Sequence, residues 1–431
     1  MTQPMRPRAP RLHPAWIVAG ITFITAISAA GFRSAPSVMM HPLHEEFGWS
    51  MGLIGSAVSV NLLFYGLTAP FSAAAMERFG VRAVVVAALA LIAAGAVLPV
   101  WMTQPWQLIA CWGVLIGLGA GVMSMSLVAT VSNRWFEKRR ATVSGVLAAG
   151  AATGQLIFLP IMAQLTDASG WRSATVAIGA LALVAIPLVL WRMRNHPSDL
   201  GVNAYGVPAD EPVRTPPPVS TGAARLALSS LKDASARPAF WILAFTFAVC
   251  GATTNGLVGT HFIPAAMDHG MAGTAAASLL ALVGVFDIIG TVFSGWLTDR
   301  VDPALLLTIY YAGRGLSLIV LPMLFTDDVK PSMFVFILFY GLDWVATVPP
   351  TIALCRAYFG PERGAIVFGW VFASHQIGAA IAATAAGMVR DELGTYTWAW
   401  MVGAVLCGLA AVACLGMVRR GRVPSDVTVP A

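Results

Sequence analysis

"WIVAGITFITAISAAGFRSAPSV" (residues 16–38) is an apolar stretch with a guanidinium set inside it, at Arg33. About 20 apolar residues cross a bilayer as a helix, and this stretch is long enough. It also has the outline of a secretory leader: Arg6, Arg8 and Arg11 precede it, and small residues cluster at Ala26–Ala30. The rest of the chain decides between the two. Eleven more stretches of the same kind follow, and the twelve run over about 15–41, 51–76, 82–102, 106–132, 141–166, 173–193, 238–267, 274–298, 304–325, 331–358, 364–388 and 396–418. A leader does not recur in this way, so residues 16–38 are expected to span a membrane.

Composition points the same way. Of 431 residues, 58% are hydrophobic and 11% charged, against about 25% charged in a typical soluble domain. Mean hydropathy is +0.76. Too few polar residues remain to cover a water-soluble surface, so the lipid bilayer is the expected surrounding. The net charge of +6 is scattered in short clusters between apolar runs rather than gathered in one patch, which excludes a nucleic-acid partner. The five cysteines lie inside apolar runs without metal spacing. Neither a metal nor any other cofactor is expected.

An even number of spans puts both termini on one side. With the N-terminus cytoplasmic, 21 of the 26 lysines and arginines fall on the inside and 3, Arg172, Lys330 and Arg390, on the outside. That bias predicts a multi-pass protein of the inner (plasma) membrane with both termini cytoplasmic. The longest connection, about 194–237, is polar and proline-rich ("RTPPPVSTGAARL"), as expected of a flexible linker. The predicted units are 1–193, an N-terminal six-helix bundle, 194–237, a cytoplasmic linker, and 238–431, a C-terminal bundle with its tail.

The two halves repeat. "MERFGVR" (76–82) follows the second run and "LTDRVDP" (297–303) the eighth, with Glu77 and Asp299 222 residues apart. "WFEKRRATVSG" (135–145) has an echo in "YFGPERGAIVFG" (358–369), with Arg140 and Arg363 223 apart; Asp167 and Asp391 differ by 224. Landmarks at nearly one offset predict a duplicated six-helix unit in parallel orientation, the plan of carriers whose site lies between the halves near mid-membrane.

The acid-Arg-x-Gly-x-Arg turn and its copy Gly295, Asp299, Arg300 resemble the signature of the major facilitator superfamily. "HPLHEEFGWS" (41–50), "NHPSDLGVNAYG" (195–206) and "FGPERGAIVFGW" (359–370) resemble its monocarboxylate transporter and oxalate/formate antiporter branch. The resemblance implies an all-α membrane fold of twelve transmembrane helices in two pseudo-symmetric six-helix bundles. It also implies gating roles for Glu77, Arg78, Arg82, Arg140, Asp299 and Arg300. The chain departs from the signature at Ala73 and Glu77, and Gly113 stands where many drug/proton antiporters carry an arginine. In physical terms, an acid beside a helix end can accept from unpaired backbone N–H groups, and arginines beside it can bridge to acids on a neighbouring helix.

Four charges lie within spans: Arg33, Asp287, Arg314 and Asp343. Each would cost roughly 2.5–3.5 kcal/mol facing lipid at a helix centre, so each is expected to face a partner or a wet cavity. Asp287 and Arg314 fall at similar depth on consecutive helices, as a structural ion pair would, or as a proton-coupling pair. The resemblance matches Asp287 to an aspartate of monocarboxylate transporters, with Thr291 where their arginine stands. Arg33 is the substrate candidate, since a guanidinium grips a carboxylate through two parallel N–H bonds. Asp343, ahead of Pro349-Pro350, is a second proton-coupling candidate or a partner for Arg33. Uncharged polar candidates for the substrate site are Asn61, Tyr65, Gln155, Asn255, His375 and Gln376, with Asn255 the repeat mate of Arg33.

Together these residues predict secondary active transport of a small organic anion, a monocarboxylate symported with a proton by alternating access, in a monomer. The alternatives are carboxylate exchange or export of a hydrophobic compound. A transport-derived sensor would carry a signalling domain, and no His-Glu-x-x-His, Gly-x-Ser-x-Gly or P-loop motif points to an enzyme.

Overall fold

In the computed structural model, residues 13–208, 211–214 and 223–420 are described, without the side chains of 32–35, 69–70, 73–74, 125, 140–141, 148–157, 223–224, 361–362 and 419–420. Membrane-length helices dominate, because in lipid a backbone must satisfy its own polar groups. They are α1 (Pro14–Phe47), α2 (Met51–Phe79), α3 (Val81–Val97) and α4 (Pro105–Trp135). The element Arg140–Arg192 then breaks at Gly170, whose φ of 78° is open to glycine, into α5 (140–169) and α6 (171–192). After the linker come α7 (Pro238–Asp268), α8 (Gly273–Thr298), α9 (Pro303–Met323), α10 (Pro331–Phe359), α11 (Pro361–Leu393) and α12 (Thr397–Arg420). Several run past the apolar stretches predicted for them: α1 continues through the polar "HPLHEEF" to Phe47, where Gly48 caps it with φ 65°.

The side chains settle into two cores. One gathers residues between Ala15 and Met193, among them Trp112, Trp135 and Trp171. The other gathers mainly residues between Ala234 and Met417, including Phe247, Tyr311, Tyr340 and Trp400. Within the first half α1 packs along the α5–α6 element and α3 beside it; within the second α9 packs on α12 and α8 on α10. The halves meet along α2–α11 and along α8 with the α5–α6 element, the pairs that a parallel repeat brings together. Large apolar side chains such as Val184, Val292 and Val412 are exposed around the outside, as a lipid-facing surface requires.

The linker is ordered in part, against the expectation of a loose connection. Tyr205 exchanges backbone hydrogen bonds with Trp135 and Glu137, and Arg214 pairs with Glu137 and Glu211. Asn195 caps α3 by accepting from Arg82 N–H (3.0 Å), its amide lying where a side chain on Gly80 would sit. In the second repeat the equivalent cap is local, with Asp302 accepting from Ala304 N–H (2.7 Å). A linker helix, Ala223–Ser235, lies against α2 and α11 and is held by an Arg363–Asp233 ion pair (2.8 Å) and by Trp370 Nε1 donating to Ala227 O (3.0 Å).

Candidate transport site

A cleft lies between the halves. The first half lines it with Pro36 and Ser37 of α1, Val58, Asn61, Leu62 and Tyr65 of α2, and Leu159; the second with Asn255, Gly259 and Thr260 of α7, Leu280 and Trp344. Its empty volume is about 660 Å³, open space included. Asn255 sits in a π-helical turn, Ala252–Val258, where the wider spacing breaks the regular ladder; Thr260 Oγ1 donates to Asn255 O (2.7 Å). Such turns recur at functional sites.

Behind Asn255 runs a polar chain inside the second half. Asn255 Nδ2 is 3.4 Å from His375 Nε2. The two helices come this close because Gly251 and Gly378 carry no Cβ; one on Gly251 would collide with His375 O, and one on Gly378 with Ala248 O. Cys250, one turn before Thr254 on α7, receives Arg314 Nη1 (3.1 Å) and lies 3.2 Å from Thr347 Oγ1. Arg314 is fully buried and donates from Nε to Asp343 Oδ2 (2.6 Å). Arg314 thus pairs with Asp343, not with Asp287 as equal depth suggested.

The reason lies in the backbone of α10. Pro349 and Pro350 bring no N–H to the carbonyls one turn earlier, and the helix opens between Asp343 and Val348. Arg314 Nη2 then donates to the carbonyls of Asp343 (2.6 Å) and Trp344 (3.3 Å), and Ser294 Oγ to that of Ala346 (2.6 Å). Asp287 Oδ1 accepts from Val345 N–H (3.0 Å) and from Thr291 Oγ1 (2.9 Å). The charges therefore mend a helix broken at membrane depth, where orphan backbone groups are costly. Among the described residues, Asp343 Oδ1 and His375 Nδ1 are buried without a hydrogen-bond partner.

Of the other sequence candidates, Asn61 Nδ2 donates to Trp112 O (2.6 Å), Tyr65 lines the cleft, and Gln376 is buried against Gly66, its Oε1 without a partner among the described residues. The side chains of Arg33, Gln155 and Arg140 lie outside the described residues. Glu77 and Arg78 are exposed, Arg82 is half-buried with its N–H capped by Asn195, and Asp299 ends α8. Arg300 folds onto its own helix, donating to Trp296 O (2.9 Å) and covering the Trp296 ring. Among the described residues none of these five pairs with an ion of the opposite half.

The closed contact is instead at the end of the bundle away from the linker. Asp391 of α11 accepts from Met51 N–H (2.8 Å) and Gly52 N–H (2.6 Å) at the start of α2. Ser59 donates to Ala380 O and meets Thr384 Oγ1 (2.6 Å), and a Cβ on Gly55 would strike Ala383 O. The repeat mate Asp167 lies 3.9 Å from where a Cβ on Gly273 would sit, at the start of α8. The sequence marked both aspartates only as repeat landmarks; the structure places each beside the start of a helix in the opposite half, at the repeat mates Met51 and Gly273, which are 222 residues apart.

Comparison with known proteins agrees with this architecture. The family model of the Major Facilitator Superfamily matches residues 22–361. The chain is 26% identical over 422 residues to the "Uncharacterized MFS-type transporter YcxA" of Bacillus subtilis (strain 168), covering 94% of this chain and 95% of that one. It is 25% identical over 410 residues to "Monocarboxylate transporter 11" of Homo sapiens, covering 94% and 83%. Among solved structures, a bacterial homolog of the human lysosomal transporter Spinster superimposes with a TM-score of 0.73 at 15% identity, covering 98% of this chain and 100% of that one. A D-xylose-proton symporter gives 0.70 at 15% identity, covering 93% and 97%. Two six-helix bundles around a shared cleft, matched across most of the chain by this one family, make the protein a transporter that belongs to the major facilitator superfamily.

Proposed function

We propose that the chain is a proton-coupled symporter of monocarboxylates that works by alternating access at the plasma membrane, with both termini cytoplasmic. Relatives at about 25% identity named as monocarboxylate transporters support the substrate class. The observation that carries the proposal is the cleft between the halves. Arg33 lies one helical turn before Pro36 and Ser37, which line it. The opposite wall leads through Asn255 and His375 to the buried Arg314–Asp343 pair.

In this scheme Arg33 takes the carboxylate, and Asn61, Tyr65, Gln155, Asn255, His375 and Gln376 hold the rest of the substrate. Asp343, through its unpartnered oxygen, or Asp287 accepts the proton. A proton on either acid weakens its hold on α10 and so couples to movement of the half. The linker-end groups Glu77, Arg78, Arg82, Arg140, Asp299 and Arg300 engage when that end closes.

The test is uptake of labelled lactate and pyruvate into vesicles under an imposed proton gradient. Accumulation that follows the gradient and is abolished in Arg33→Ala is expected. Absence of flux for every carboxylate tried, or full activity in Arg33→Ala, overturns the proposal.

A further inference from the structure

Arg314 holds two acidic groups at once. Its Nε donates to Asp343 Oδ2 (2.6 Å) and its Nη1 to the Cys250 sulfur (3.1 Å). The thiol is buried on α7, and Thr347 Oγ1 of α10 lies 3.2 Å from the same sulfur. The His375 ring of α11 lies beside it and reaches the cleft wall through Asn255 (3.4 Å). Asp343 and His375 are both more than nine-tenths buried. Asp343 Oδ1 and His375 Nδ1 have no hydrogen-bond partner among the described residues, so each can take a proton there without breaking a bond.

A buried guanidinium stays protonated, and removing its one counter-charge is costly. Asp343 supplies that charge only while it is ionised. The other acidic groups around Arg314 are already engaged. Asp287 of α8 accepts from Val345 N–H and Thr291 Oγ1. Tyr311 and Tyr340, whose rings flank the guanidinium, donate their hydroxyl protons to Thr246 O (2.6 Å) and Thr253 O (2.8 Å). Cys407 of α12 is buried nearby and receives no hydrogen bond from Arg314 among the described residues. Cys250 is thus the second acid that the guanidinium touches, and thiolates form beside arginine and protonated histidine.

We propose that Cys250 is the alternate counter-anion of Arg314. When Asp343 takes a proton from outside, the Cys250 S–H bond breaks, an N–H bond forms on His375, and the thiolate takes over the guanidinium. Arg314 stays cationic and paired throughout. The net positive charge moves to an imidazolium at the cleft wall, where it favours a carboxylate. The role in transport rests on the proton-symport reading above; the exchange of anions within the cluster does not.

The S–H stretching band of cysteine falls in an infrared window clear of most protein bands. Spectra of the purified full-length protein, of Cys250→Ser and of Asp343→Asn test the proposal. In mildly alkaline buffer the parent should show an S–H band that Cys250→Ser lacks. Asp343→Asn should lose the same band, because an amide cannot balance Arg314. A Cys250 band that survives in Asp343→Asn, or none in the parent, overturns the proposal. If Asp343→Asn fails to fold, the parent decides: its Cys250 band should weaken as pH falls, opposite to a thiol titrating alone, and a constant or growing band overturns the proposal. In vesicles Cys250→Ser should still exchange labelled pyruvate but accumulate it several-fold less under a proton gradient. Parent-level accumulation overturns the coupling role. If the parent accumulates no carboxylate, the symport reading fails, and the infrared result still decides the exchange of anions.

Discussion

Asp391 and Gly52 join the two halves: the carboxylate on α11 accepts the Gly52 N–H at 2.6 Å while its other oxygen takes that of Met51 at 2.8 Å. A carboxylate on a helix N-terminus is worth about 0.3–1 kcal/mol when exposed and up to about 2 kcal/mol when partly buried. Closure of this end depends on that bond and on close packing of α2 against α11. Asp391→Ala is expected to open it more often. A cysteine placed at Ser59, which is buried between the two helices, should then react with a membrane-permeant maleimide several times faster than in the unsubstituted background. An unchanged rate would show that Asp391 does not hold the end shut.

Two glycines separate stability from movement. A Cβ on Gly251 would collide with the His375 carbonyl inside the second half, and one on Gly55 with the Ala383 carbonyl across the halves. Neither obstacle is a flexible side chain, so relief needs a backbone shift, and overpacking of this kind costs about 1–3 kcal/mol. Gly251→Ala strains contacts present in every state of the carrier and should lower the melting temperature by several degrees. Gly55→Ala strains only the state closed at this end. It should melt near the parent temperature yet transport slowly, with Ser59 made more accessible. Equal melting losses in the two variants would contradict the assignment of Gly55 to a moving contact.

Arg314 and Asp343 carry a sharper expectation. Arg314→Met leaves a buried carboxylate and two backbone carbonyls without their donors, and breaking such a pair costs about 3–5 kcal/mol. Arg314→Lys should recover little, because an ammonium cannot reach the carboxylate and both carbonyls as the planar fork does. Arg314→Met combined with Asp343→Leu removes both charges and should regain much of the loss, measured as melting temperature in detergent. Asp343→Asn keeps the shape while removing the titratable oxygen. If Asp343 carries the proton, that variant exchanges labelled substrate across the membrane but no longer accumulates it against a gradient; accumulation at the parent level would exclude Asp343.

The fold was legible because each span announces itself by composition and the basic loops alternate by side. The break between α5 and α6 falls at Gly170, in the gap between the predicted runs 141–166 and 173–193. The site was legible as residue types more than as partners. Asp287, Arg314 and Asp343 stood out as charges at membrane depth, but depth along a helix does not fix rotation about it. The pairing of Arg314 with Asp343 depends on the opening of α10, which only the double proline hinted at. The order in the linker was missed for a related reason: Asn195 and Tyr205 are polar-segment residues whose partners, Arg82 N–H at the start of α3 and the Trp135 and Glu137 backbone at the end of α4, are distant in sequence. The role of Asp391 was missed because an acid at a helix end looks the same whether it caps its own helix or a partner's.

His196 gives the linker a pH dependence. It lies beyond α6 in the segment that caps α3, and burial, reinforced by the nearby Arg134 guanidinium, holds its pKa below the usual value of 6.5. A histidine whose pKa is lowered by folding contributes stability above its unfolded pKa, where both states are neutral. That contribution fades as pH falls from about 6.5 through the lower folded value, since the unfolded segment then binds the proton more readily. Docking of residues 195–207 on the α4–α5 loop should therefore loosen in mild acid. Limited proteolysis within 195–214 is expected to quicken between pH 7 and pH 5, after correction for protease activity on an unstructured peptide. His196→Gln removes the titrating group and should flatten the profile; the same acid sensitivity in that variant would place the cause elsewhere.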